Sequence, residues 1–163
     1  MKETKRVYMI DDSEAKQQLV DRVFSSIPHT KALGVELVSI ERNKVIGKLP
    51  YQKNFVGNIE NGAIHTGVLI SLIDSMAGLA VFSALPEMEE FATLDLRLDS
   101  FKPSTPSQDI YASAECYRLT KSVAFVRGRI YHDTPEDKIA GCVATFFRTG
   151  RQANIRGNAE QWI

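Results

Sequence analysis

Residues 60–87 read ENGAIHTGVLISLIDSMAGLAVFSALPE. Between Glu60 and Glu87 there is one acid, Asp74, and no Lys, Arg or further Glu. The run predicts a helix from about His65 to Ala84 with no polar face, and such a helix is enclosed by protein or by lipid. Residues 63–85 are nearly long enough for lipid. Asp74 at the centre would cost about 2.5–3.5 kcal/mol on an insertion scale, and the run has neither basic flanks nor an aromatic belt. Burial by protein on all sides is the expectation, with no membrane partner. A charged carboxylate in that setting is costly unless something pairs with it or uses it.

The elements on either side can supply the enclosure. Upstream, DDSEAKQQLVDRVFSSI (11–27) carries Leu19, Val20, Val23, Phe24 and Ile27 at helical spacing. It predicts an N-terminal amphipathic helix over about 13–28, ended by Pro28. GVELVSIERNKVIGKLPY (34–51) alternates at Val35, Leu37, Val45 and Leu49, which predicts two strands about a turn at Arg42–Asn43. Residues 52–62 form a polar loop. Downstream, four strands follow. FATLDLRLDSF places Ala92, Leu94, Leu96 and Leu98 on one face and Thr93, Asp95, Arg97 and Asp99 on the other. DIYASAECYRL places Ile110, Ala112, Ala114 and Cys116 together. SVAFVRGRIYH and KIAGCVATFFR are separated by the turn DTPED. The short separations predict an antiparallel meander. The tail 149–163 is polar apart from Trp162 and Ile163.

This is an α+β pattern in a single domain, 1–163, with a core over about 32–148. Twenty Lys and Arg against twenty Asp and Glu leave no net charge, and no dense basic block offers itself to nucleic acid. Cys116 and Cys142 lie in separate apolar runs without CxxC spacing and read as buried, reduced thiols. The N-terminus lacks the apolar region of a signal peptide, so a cytoplasmic location is expected. No HxxxH, HExxH, GxSxG, GxGxxG or GxxxxGK run occurs. That argues against a metal centre, a serine elbow and a nucleotide loop.

Two readings of Asp74 remain open on the residues alone: a structural hydrogen bond to a strand, or a base or nucleophile in a dry pocket. A carboxylate in apolar surroundings is a stronger base, which suits drawing a proton from water. His65, at the helix start, is divided between capping and a site role, whereas His29 and His132 read as ordinary turn and strand-end residues. Nine residues separate His65 from Asp74, which is about half a revolution and roughly 13 Å along the helix. The two cannot meet within one chain, so a site using both needs two chains.

Four segments resemble the PaaI-type hotdog acyl-CoA thioesterases. NGAIHTGVLISLIDSMAG is similar to the family's G-x-[VIL]-H-G-G run with an acid nine residues after the histidine. VGN, with Asn58 seven residues before His65, resembles the loop asparagine that precedes it. TLDLRLDSFKPS resembles the strand after the helix, and 117–147 resembles the last two strands. The family's first glycine after the histidine is Thr66 here.

The resemblance implies the hotdog fold, in which an antiparallel sheet wraps a long apolar helix. It implies hydrolysis of acyl-CoA to free acid and CoA, with no cofactor, at a site in a homodimer that pairs as a dimer of dimers. Asp74 would be the general base or nucleophile, with Thr93 near the attacking water. Asn58 and His65 of the partner would orient water and thioester, and the Thr66 and Gly67 amides would polarise the carbonyl. Lys121, Arg118, Lys102 and Arg127 are candidates for the CoA phosphates, each also readable as an ordinary surface cation. Met76, Leu79, Phe82 and the loop after Pro50 would set tunnel depth. Two further readings keep the fold: a hydratase or dehydratase acting on acyl thioesters, and a non-catalytic acyl-CoA sensor.

Overall fold

The computed structural model describes residues 24–87 and 89–152. Most of the expected N-terminal helix, and Trp162 and Ile163 of the tail, lie outside them. Residues 24–26 are helical. Pro28 does not simply end that helix. It opens a new one, α1 (Pro28–Leu33), with Ile27 as the N-cap, because proline's fixed φ suits the first helical position and its missing N–H is not needed there. Gly34 closes α1 at φ 67°, a left-handed cap.

The chain then runs β1 (Glu36–Glu41), β2 (Lys44–Leu49), a 3-10 turn (Lys53–Phe55), β3 (Val56–Asn58), β4 (Ala63–Ile64) and α2 (Thr66–Ala84). It ends with β5 (Glu89–Ser100), β6 (Ile110–Leu119), β7 (Val123–Tyr131) and β8 (Lys138–Gln152). Asn43 turns β1 into β2 at φ 63°, in the left-handed region that asparagine tolerates. The strand β8 reaches four residues into the segment expected as tail.

Six strands form one antiparallel sheet in the order β1-β2-β6-β7-β8-β5. Only β6-β7-β8 is the expected meander. β5 leaves the helix and pairs with β8 at the sheet edge, so the loop after Ser100 carries the chain back across to β6 beside β2. The sheet wraps α2, in which Leu72, Ile73, Met76, Ala77, Ala80 and Val81 have no exposed surface. This is the hotdog arrangement, and it explains why α2 has no polar face.

The alternation of β6 holds from Ile110 to Cys116: Ile110, Ala112, Ala114 and Cys116 are all buried. In β5 it does not. Thr93 pairs with Phe146 and Asp95 with Thr145, so Leu94 is an extra residue, a β-bulge. Leu94 is 58% exposed. One inserted residue reverses the phase of the strand. Phe91 and Thr93 therefore face α2 together with Leu96 and Leu98, while Ala92 and Leu94 turn away. Both cysteines are free and buried.

Candidate active site

Asp74 projects from the middle of α2 towards β5. Its Oδ1 accepts a hydrogen bond from Thr93 Oγ1 at 3.0 Å. The bulge at Leu94 makes this contact possible, since unbroken alternation would turn Thr93 to the outer face. Asp74 is half-buried and makes no ion pair among the described residues. The threonine hydroxyl thus engages one of the two carboxylate oxygens.

The pair stands at one end of a pocket of about 360 Å³ whose walls include Leu79, Phe82, Phe91, Phe146 and Phe24. Phe91 and Phe146 meet edge to face, with centroids 5.9 Å apart. Of the residues expected to set tunnel depth, Leu79 and Phe82 line this pocket. Met76 instead packs on β2, where a Cβ at Gly47 would lie 2.3 Å from its sulfur, and the loop after Pro50 takes no part. Burial, with Asp74 and Asp99 as lesser causes, pushes the Cys142 thiol up to about 11. It stays protonated and is no competing nucleophile.

His65 caps α2. Its Nδ1 accepts the Gly67 N–H at 3.0 Å, which leaves its proton on Nε2. The imidazole is therefore a donor toward solvent. Two glycines hold it. A Cβ at Gly57 would come within 2.7 Å of His65 Cα, and one at Gly67 within 3.0 Å of Nδ1. The sequence alone gives Gly57 no role; its one signal is a glycine eight residues before His65. The Gly67 amide, expected to face a thioester, is spent on His65. Thr66, exposed at the first helical position, has no earlier turn to receive its N–H.

Asn58 Oδ1 accepts the Glu60 N–H at 2.9 Å, so its amide NH₂ is the group it presents. Asn58, Thr66 and Lys102 line a second, more polar pocket of about 310 Å³ beside the α2 N-terminus. Lys102 is ion-paired with Asp137. Arg127 lies on the outer face of the sheet, held by Glu115 at 3.0 Å and lying over Tyr117. Arg118 and Lys121 are exposed at the β6–β7 turn. Asp74 lines the first of these two pockets and His65 lines neither, in keeping with their half-turn offset on the helix.

A family model described as the thioesterase superfamily matches residues 61–139. The chain is 30% identical over 150 residues to the medium/long-chain acyl-CoA thioesterase YigI of Salmonella typhimurium, covering 82% of this chain and 94% of that one. It superposes on a crystal structure of a Pseudomonas aeruginosa protein with a TM-score of 0.74 at 36% identity, covering 82% of this chain and 99% of that one. The fold is also that of Escherichia coli PaaI, with a TM-score of 0.76 at 18% identity over 87% of this chain and 99% of that one. A central helix with an inward acid, a wrapped antiparallel sheet and these relatives agree: the chain belongs to the thioesterase superfamily, has the PaaI-type hotdog fold, and is a thioester hydrolase.

Proposed function

We propose that the protein hydrolyses acyl-CoA thioesters to a free acid and CoA, at a site shared by two copies of the chain, with Asp74 as the base or nucleophile. The observation that carries this is the Asp74 carboxylate, bonded to Thr93 and free of any cation among the described residues, at the head of an apolar pocket. Asp74 takes a proton from water, and the resulting hydroxide adds to the thioester carbonyl. The C–S bond then breaks, and the CoA thiolate leaves and takes up a proton. Alternatively the carboxylate adds to the carbonyl, the C–S bond breaks to release CoA thiolate and leave a mixed anhydride, and water hydrolyses that anhydride to the free acid and the Asp74 carboxyl group. Water is the only co-reactant.

The developing oxyanion needs hydrogen-bond donors. The partner's α2 N-terminus offers the Thr66 amide and the Nε2–H of His65, with the Asn58 amide nearby. β5 supports the pairing: it is a strand of twelve residues that among the described residues pairs only with β8, and a long open edge is a template for a second strand. Joining two such edges would bring each Asp74 toward the other chain's helix start. Arg118 and Lys121 are the cations we assign to the CoA phosphates; Arg127 already serves Glu115 and Lys102 already serves Asp137. Similarity to YigI supports acyl chains of medium or greater length. Free buried thiols fit a cytoplasmic protein.

Free-thiol release from acetyl- to palmitoyl-CoA tests the reading. Asp74→Asn should lower kcat by about 10²–10⁴-fold while the variant stays folded. Asp74→Asn and His65→Ala chains, each inactive alone, should regain activity when co-refolded, because a mixed dimer holds one intact site. Failure to regain it would overturn the shared site. Acyl-CoA binding without turnover by the wild type would make the protein a sensor.

A further inference from the structure

We infer that Gly78 keeps open an acyl channel that runs along α2 from Asp74 to Phe82, and that this channel sets the chain length the enzyme accepts. The inference deepens the thioesterase reading and rests on it. Asp74, Gly78 and Phe82 recur every four residues on one stripe of α2, and all three line the apolar pocket. Gly78 is the one member of the stripe without a side chain. A Cβ built there would stand 3.8 Å from Phe91 Cε2 and 4.0 Å from Phe146 Cε1. A methyl group therefore just touches the two rings, and any longer side chain must enter the space between helix and rings.

This glycine differs in kind from those at 47 and 128. There a Cβ would meet Met76 Sδ at 2.3 Å and Ile73 Cδ1 at 2.7 Å, so the missing side chain lets helix and sheet touch. At Gly78 a Cβ would meet the two rings at ordinary contact distance, and the residue lines the apolar pocket. The space lies one turn beyond the carboxylate, where the carbons next to a reacting carbonyl must go. Phe82 ends the stripe eight residues from Asp74, about 12 Å along the axis. An extended alkyl chain, with C–C bonds of about 1.5 Å at tetrahedral angles, advances about 1.25 Å per carbon. The axial span from Asp74 to Phe82 thus matches an acyl chain of about ten carbons.

The test is a kcat/KM profile over straight-chain acyl-CoAs from butyryl to palmitoyl, for wild type, Gly78→Leu and Phe82→Ala. Circular dichroism and gel filtration check that each variant is folded. In Gly78→Leu the decanoyl-to-butyryl ratio should fall by about tenfold or more, because leucine fills the channel. In Phe82→Ala the optimum should move to longer chains. Wild-type profile shapes in both variants, whatever the absolute rates, would overturn the inference. If Gly78→Leu does not fold, the Phe82→Ala profile decides alone. If the wild type hydrolyses no acyl-CoA, the underlying reading fails, and acyl-CoA affinities measured over the same series decide the channel: a length optimum that moves in Phe82→Ala supports it, and one that stays overturns it.

Discussion

The two flanks of the central helix are built differently. On the flank facing β2, β6 and β7, the sheet lies so close that its strands carry glycine and alanine. Gly47 and Gly128 meet Met76 and Ile73, while Ala112, Ala114 and Ala124 are fully or almost fully buried. On the flank facing β5, the strand is long, bulged and largely exposed, and it carries Thr93 to Asp74 beside a pocket. The first flank holds the helix in place. The second leaves room for a substrate and an open edge for a partner. On the proposed reading stability and chemistry are assigned to opposite sides of one helix, so they should respond separately to substitution.

The sharpest break of that division is Ile73→Ala. It removes a fully buried side chain from the packed flank and should cost about 2–5 kcal/mol, read as a lower urea midpoint. Turnover per folded molecule should persist. On the open flank, Thr93→Val keeps a good strand former and removes the hydroxyl that positions Asp74. It should lower kcat about 10–100-fold, the scale of a hydrogen bond to a charged group, with an unchanged melting temperature. A matching fall in stability would show that the pair serves the fold.

A smaller effect concerns pH. Burial raises the Cys142 thiol from its ordinary 9.0 to about 11. Above pH 9 the unfolded chain loses this proton while the folded chain keeps it, so stability should fall as pH rises from about 9 to 11 and level off beyond. Urea midpoints at pH 8 and pH 10.5 should differ less in Cys142→Ala than in the wild type. The smallest effect expected is Gly78→Ala. Its methyl fits against the two rings, and an alanine in a helix interior gains about 0.5–1 kcal/mol over glycine. A loss instead would mean that this flank is packed as tightly as the other.

Much of the architecture was legible because its signals are local. The apolar run located α2 to within one residue of its start, since His65 proves to be the cap. Strict alternation located the buried face of β6. The bulge in β5 was not legible. Leu94 is apolar and fits the alternation, so the strand read as if Leu94 faced inward and Thr93 outward. Pairing with β8 rather than β6 was also hidden, because chain order does not state which edges meet. Asp74 stood out by charge alone. Gly57 and Gly78 did not, because one missing side chain can mean contact or space.

The sequence by itself determined that a helix with one acid must be enclosed, and that His65 and Asp74 point to opposite sides of it. Those follow from the cost of burying charge and from 3.6 residues per turn. Only the tertiary structure decided that Thr93 reaches Asp74, that the Gly67 amide is committed to His65, and that Gly78 borders open space. Each depends on atoms brought together from distant strands or by a single cap, and no periodicity in one segment records such distances.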